Sequence, residues 1–305
     1  MLINYENLKT SFEGFQALYK GALITTVPPK WPQIAMRAPS TGPQETYEWL
    51  SRIPAVREWL GDRHIKELAG FKYTIVNKDW ESTIEVDRNQ FEDDKLGLFN
   101  PAIQSMPGAY YAHQDKLIFE LLKNGFTTLG PDGSFFFVAT HSESGTNQSN
   151  LDTAAYSLAA IEAGLAKMMA FTFSDGEACE IMPDVLVVHP TNYLQALKDV
   201  SSPQLIAIGM GASAVVQGGL NVLATFGVKV IPSARVGSND WFWLATQYPI
   251  KPLIMQIRRE AEFNQLTDQS SLNVFMQKKF LYGIDARYNV GYGPWQLAYG
   301  STGGS

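Results

Sequence analysis

Apolar residues recur at helical spacing near the start of the chain, at Leu8, Phe12, Phe15, Leu18 and Tyr19, and predict a short amphipathic segment. It gives way to a stretch where Pro28, Pro29, Pro32, Pro39 and Pro43 forbid regular helix, so residues 1–45 read as an arm rather than a domain. Trp31, Ile34 and Met36 on this arm need cover, from the chain's own core or from a neighbouring copy. Short helical pieces are expected over 47–68, first at Tyr47, Trp49 and Leu50, then at Pro54, Val56, Trp59 and Leu60. The period then drops to two. Phe71, Tyr73 and Ile75 alternate with Lys72 and Thr74, and Ile84 and Val86 alternate with Glu85 and Asp87. Two such segments bracketing Asn77–Ser82 predict a long hairpin with one apolar face, closed by Glu92, Asp93 and Asp94.

Asp115 reads as the N-cap of a helix over 116–123, with Asn124–Gly125 as its stop and Leu117, Ile118, Leu121 and Leu122 as its buried face. A tight turn at Asp132–Gly133 precedes a continuous apolar strand over 135–139, and 141–150 reads as a polar loop. The most regular helical spacing follows, at Leu151, Ala155, Leu158, Ile161, Leu165 and Met168, with Asp152 in the first turn. The β-branched run 185–188 predicts a strand ending at His189–Pro190, and Thr191 can cap a helix over 192–199. Further strands are predicted at 227–231, 253–258 and 286–292. Strands and helices alternate without a strict strand–helix–strand rhythm, which makes the fold class α+β.

Composition narrows the function. One cysteine, Cys179, among 305 residues excludes a disulfide framework and any zinc site built on several cysteines. The four histidines, His64, His113, His141 and His189, are too scattered for a local metal motif. A net charge of -6 without a basic stripe argues against a free-standing nucleic-acid binder. Charged residues make up 18%, against an ordinary ~25%, which hints that partners cover part of the surface outside the core. The opening residues carry no secretory signal pattern, and the charge-free run 200–228 is interrupted by five glycines, too often for a membrane helix.

The most tempting chemistry is the apolar strand and G-x-G-x-x-A turn of 205–214, where Gly209 and Gly211 would let a pyrophosphate approach a helix N-terminus. A dinucleotide site also needs an acidic residue about 20 positions on. The first acid after Gly209 is Asp240, past another predicted strand. Close packing of small residues is the favoured reading of Gly209–Ala214, and a dinucleotide-binding enzyme is the alternative. Glu92, Asp93 and Asp94 are consecutive and do not converge on one ion if extended. No serine sits in a nucleophile elbow, and Glu180 beside Cys179 would disfavour a thiolate. His189 reads as a strand-end histidine, and Arg235, Arg258, Arg259 and Arg287 draw no basic groove. No catalytic, cofactor-binding or metal residue is assigned, and no cofactor is expected.

Several blocks, in order, have a specific look: 57–63 (REWLGDR), 73–86 (YTIVNKDWESTIEV), 91–97 (FEDDKLG), 119–126 (FELLKNGF), 132–136 (DGSFF) with His141, 251–258 (KPLIMQIR) and 282–300 (YGIDARYNVGYGPWQLAYG). Together they resemble the major head subunit (gpT) family of Mu-like phages and prophages, over nearly the whole chain. The resemblance implies the tailed-phage capsid fold of the Hong Kong 97 type. By position it implies an N-terminal arm over 1–61 and an extended loop over 62–95 built on the 71–91 hairpin. A spine helix including Asp115–Lys123 and peripheral domain would follow over 96–150, then an axial domain over 151–250 and a return to the peripheral domain over 251–305. It further implies a structural subunit, not an enzyme, assembling as hexamers and pentamers of an icosahedral head around double-stranded DNA held only non-specifically. Portal, scaffold or protease, and decoration proteins are the implied partners, with no membrane. The implied location is the virion, after synthesis in the host bacterial cytoplasm.

One local feature points to the subunit interface. A large indole at the tip Asn77-Lys78-Asp79-Trp80-Glu81 would sit in water in a lone chain, so Trp80 with its rim of Lys78, Asp79 and Glu81 reads as an interface anchor. The competing reading folds Trp80 back under the strands as local core. Trp31 on the arm is the second expected contact.

Overall fold

The computed structural model describes residues 5–50, 70–93, 96–143, 146–172, 176–202, 204–207, 217–268 and 272–304. The amphipathic start is a 21-residue helix, α1 (Tyr5–Thr25), with Leu8, Phe15, Tyr19 and Ala22 buried. Its aromatic face lies on the chain's own strands: Phe12 stacks on Phe263 at 5.7 Å and Phe15 meets the edge of Tyr282 at 5.0 Å. The prolines end it, and a short 3-10 turn at Trp31–Gln33 leads into β1 (Ala35–Pro39). Trp31 and Ile34 are buried here, so the arm finds its cover within the chain.

Next come β2 (Gln44–Leu50), β3 (Gly70–Val76) and β4 (Lys78–Asp87). A one-turn helix, α2 (Arg88–Glu92), follows; the Asp87 carboxylate caps it by accepting from the Asn89 N–H at 2.7 Å. The longest helix is α3 (Asn100–Lys123), which buries Ile103, Met106, Tyr110, Ile118, Phe119 and Leu122 and runs through Pro107. After it lie β5 (His141–Glu143), β6 (Thr146–Gln148), β7 (Leu151–Asp152), α4 (Leu158–Met169), β8 (Val185–Val188) and α5 (Pro190–Ser201). The chain ends with β9 (Gln204–Ala207), β10 (Gln217–Leu220), β11 (Lys229–Pro232), β12 (Trp241–Leu244), β13 (Leu253–Leu266), α6 (Leu272–Gln277), β14 (Lys279–Tyr292) and β15 (Ala298–Ser301).

Two larger sheets organise these elements. One has the order β1-β13-β14-β4, built on the long antiparallel pair β13 and β14. In β14, Phe280, Tyr282, Ile284, Ala286 and Tyr288 alternate as buried positions, the period-two pattern of a sheet covered on one face. The other sheet has the order β11-β8-β12-β15-β7, with α4 against β12 and β15 and α5 against β8 and β11. Its strands β8 and β12 are buried at every position, as continuous apolar runs must be. One hydrophobic core joins both sheets. The last strand, β15, belongs to the second sheet although residues before it, in β13 and β14, build the first.

Several expectations are corrected. The 71–91 hairpin does not form: β3 pairs antiparallel with β2, Tyr73 opposite Tyr47, while β4 pairs with β14. The segment expected to turn, Asn77–Ser82, holds neither Gly nor Pro; the strand is interrupted only at Asn77 and resumes as β4 from Lys78. Tyr47, Trp49 and Leu50 accordingly lie in a strand rather than a helical piece, while the second piece, at Pro54, Val56, Trp59 and Leu60, with the block 57–63 and Asp94, lies outside the described residues. Asp115 is not a helix start, because α3 begins at Asn100. The 135–139 strand reduces to a single bridge between Leu129 and Phe135, since Phe136 and Phe137 both bury their side chains instead of alternating. The loop over 141–150 contains the pair β5–β6. The helix expected from Leu151 starts at Leu158, where the Ser157 hydroxyl accepts from the Ala160 N–H; Leu151 and Asp152 form a strand. His189, not Thr191, caps α5, with Pro190 in its first turn.

Candidate assembly surface

Trp80 lies in the edge strand β4, opposite Ala286 of β14, and not at a turn. Its indole Nε1 donates to the Tyr288 carbonyl at 2.9 Å, and its ring packs on His113 of α3 with centroids 4.3 Å apart. His113 Nδ1 lies 2.8 Å from the Tyr288 hydroxyl. The indole is half-buried: it packs under its own helix and still presents an edge to solvent. Beside it opens a cavity of about 260 Å³ lined by Tyr110, His113, Ile284 and Tyr288.

The expected rim divides. Lys78, Asp79 and Glu81 are all exposed, yet strand alternation leaves only Lys78 on the face of Trp80. On the other face Asp79 stands 3.6 Å from Arg287, and Glu81 accepts from the Thr83 hydroxyl at 2.6 Å. Trp31 is further from the expectation. It is only 6% exposed, its Nε1 donates to Gln114 Oε1 at 3.0 Å, and its backbone N–H donates to Asp115 Oδ1 at 2.8 Å. The anchor expected to reach a neighbour is spent on the chain's own α3.

Asp115 therefore acts as a clamp for the arm, since its other oxygen accepts from the Lys30 N–H at 3.0 Å. Burial pushes its carboxyl above the ordinary range, opposed by these two N–H groups and by Lys30 and Arg235. Burial holds His113 below the ordinary histidine range; Lys116 and Arg235 act the same way and Glu120 opposes them.

Two further polar clusters carry no sequence signal beyond the presence of His, Asn and Gln. His141 is fully buried, its Nδ1 2.6 Å from Asp132 Oδ2 and its Nε2 3.0 Å from Asn150 Oδ1. The Asn150 amide donates to the Phe136 and Ala298 carbonyls, which fixes its orientation. The second cluster surrounds Gln256 at the base of the β2–β3 ribbon.

Among the described residues no catalytic constellation assembles. Gly209–Ala214 lies outside the described residues, but its flanks β9 and β10 run antiparallel with Ala207 opposite Gln217. A dinucleotide turn needs a parallel strand–helix–strand frame, whose crossover takes a dozen or more residues, and 208–216 is too short for one. Among the described residues no group of three or more His, Cys, Asp or Glu is placed to hold a metal ion, and no helix is long and apolar enough to cross a membrane.

The profile of the Mu-like prophage major head subunit gpT family matches residues 8–157 and 229–304, leaving α4, β8, α5 and the β9–β10 pair unmatched. The Mu-like prophage FluMu major head subunit of Haemophilus influenzae is 28% identical over 300 residues, covering 97% of this chain and 73% of that protein. The major capsid protein of Escherichia phage Mu is 26% identical over 303 residues, covering 99% and 76%. Among solved structures, a chain of the procapsid of bacteriophage JBD30 superposes with a TM-score of 0.58 at 32% identity, covering 98% of this chain and 76% of that one. The family match spans both sheets and the relatives agree with it: the chain belongs to the Mu-like major head subunit gpT family and is a major capsid protein of a phage head with the Hong Kong 97-type fold, a structural subunit rather than an enzyme.

Proposed function

We propose that copies of this chain associate as hexamers and pentamers into an icosahedral head that encloses double-stranded DNA without gripping it specifically. The observation that carries this reading is the β2–β3 ribbon. It is a two-stranded pair in which none of residues 44–48 is fully buried, and such a pair is marginal in water without further cover. A second copy is the natural cover in a protein of this family. In this reading α1 and β1 belong to the arm, the β2–β3 ribbon replaces 62–95 as the extended loop, α3 is the spine helix, and the second sheet forms the axial domain. Lys78, Asp79, Trp80 and Glu81 stand as contact residues beside the cavity, with Trp31 withdrawn because its own chain covers it.

The solved JBD30 capsid carries minor capsid protein trimers as decoration, and by analogy decoration, portal and scaffold or protease proteins are proposed partners here. The virion is the proposed location, after synthesis in the host cytoplasm. Electron microscopy of the purified chain tests the central reading: shells and capsomers are expected. Hydrogen exchange in 44–48 and 72–76 should slow on assembly. Compact small oligomers only, with unprotected ribbon amides, would overturn it.

A further inference from the structure

The β2–β3 ribbon meets the body of the protein at a buried polar hub centred on Gln256. This residue lies near the start of β13, between Ala38 of β1 and Asn289 of β14, and is fully buried. A glutamine there is expensive unless every polar atom is paired. Its Nε2 donates to the Ile75 carbonyl at 3.1 Å and to Asn77 Oδ1 at 2.7 Å, while its Oε1 accepts from the Tyr47 hydroxyl at 3.0 Å. One side chain thus holds both strands of the ribbon, β2 through Tyr47 and β3 through Ile75.

The pairing continues into the turn that launches the ribbon. Asn77 Nδ2 donates to Ser40 Oγ at 2.8 Å and to the Gly42 carbonyl at 2.9 Å, and the Asn77 N–H donates to the Pro43 carbonyl at 3.0 Å. The Glu45 carboxylate accepts from the Thr41 and Gly42 N–H groups at 2.6 and 3.0 Å, which lowers its pKa. Asn289 donates to the Val76 carbonyl at 2.7 Å. Beneath the network, Ile75, Ala38 and Ile254 form a small apolar cluster of their own. The ribbon comes so close to β14 that a Cβ on Gly291 would collide with the Ile75 side chain and stand 2.8 Å from Tyr73 Cε1.

A two-stranded ribbon held by apolar contact alone could rock on its base, whereas directional bonds from one rigid strand define a single angle. Both donors and the acceptor of Gln256 are engaged, as are those of Asn77, so rotation of the ribbon breaks several bonds together. We propose that Gln256, with Asn77 and Tyr47, is a positioning hub that sets the angle at which the β2–β3 ribbon leaves the body and hence where a neighbouring copy receives it. The part concerning the neighbour rests on the proposed function; the part concerning the angle does not.

The test reads the angle directly. Spin labels on Lys72→Cys and Lys116→Cys in a Cys179→Ser background report the distance from ribbon to α3 by pulsed electron resonance, with excess unlabelled chain present so that only distances within one copy register. One narrow distribution is expected for the parent chain, and Gln256→Leu and Tyr47→Phe should each widen it about twofold by loosening the network. Tyr47→Phe removes one hydroxyl, should lower the melting temperature only modestly through the unpaired Gln256 Oε1, and decides the matter if Gln256→Leu does not fold. Gly291→Ala should shift the mean distance rather than the width. Unchanged distributions in Tyr47→Phe and in any Gln256→Leu that folds would overturn the hub. A widened distribution with shells of normal size and yield would keep the hub and overturn the ribbon's role towards the neighbour.

Discussion

Trp80 and His113 face each other across the joint between the edge strand β4 and the long helix α3, with ring centroids 4.3 Å apart and planes inclined by 57°. The contact places a titratable ring where sheet and helix meet, and the joint inherits a pH dependence. Burial, with Lys116 and Arg235, holds His113 below the ordinary histidine range against Glu120. The other partners are Trp80 on β4 and Tyr288 on β14, whose own hydroxyl burial pushes upward, so that it remains a donor. A histidine whose folded-state pKa is depressed contributes stability above the ordinary histidine range, and that contribution is lost as the pH falls through it. The melting temperature should therefore decline between about pH 7 and pH 5. His113→Gln should flatten that decline, and equal slopes in both proteins would exclude His113 as its source.

Trp80 separates folding from assembly by graded substitution. Trp80→Phe keeps a ring on His113 but loses the bond to the Tyr288 carbonyl, which should cost about 1 kcal/mol in urea unfolding. Trp80→Ala should cost about 2–3 kcal/mol, below the value for a fully buried tryptophan because the indole is partly exposed. If Trp80 also anchors a neighbour, the alanine chain should fold and yet fail to build shells.

Gly164 lies on the buried face of α4, where an added Cβ would stand 3.0 Å from Trp241 Cη2 and from Tyr299 Cε1. Both rings are fully buried and cannot retreat. Alanine gains about 1 kcal/mol of helix propensity over glycine, but overpacking costs about 1–3 kcal/mol. Gly164→Ala should come out destabilised by about 1 kcal/mol on balance, and a stabilised variant would show that the α4 contact is looser than its distances.

His141 lies flat on Trp295, with centroids 4.0 Å apart and parallel planes, while its two nitrogens face Asp132 and Asn150. His141→Phe preserves the stacking area and removes both polar contacts, leaving the nearly buried Asp132 carboxylate with fewer partners. A loss of about 2–3 kcal/mol is expected from calorimetry. A loss as small as a surface change would mean that stacking, not hydrogen bonding, holds this ring.

Much of the local structure was legible. The strand 185–188 has the predicted bounds, the strands expected at 253–258 and 286–292 lie inside β13 and β14, and the amphipathic start became α1. The family resemblance was carried by blocks outside 158–228, the stretch that the family profile also leaves unmatched. What misled was capping chemistry. Asp115 has the residue type of a helix cap, and it does cap a turn, but the 31–33 turn of the distant arm rather than its own helix. Ser157, His189 and Asp87 are caps of the ordinary kind, each bonded two or three residues ahead, within reach of a local reading.

The sequence by itself determined which residues turn inward, because side-chain direction follows the backbone period and that period is written in neighbouring residues. It determined the family for a related reason: ordered blocks of residues persist whatever their partners. Only the tertiary structure decided which strand lies beside which. Backbone donors and acceptors are chemically alike along every strand, so the alternation of 70–87 could not say that β3 joins β2 while β4 joins β14. The same holds for the polar side chains. Asn77, Gln256 and Tyr47 are ordinary letters in three distant segments, and they become one hub only when the fold brings both ribbon strands over β13 and buries Asn77 and Gln256, whose polar atoms must then pair with protein groups.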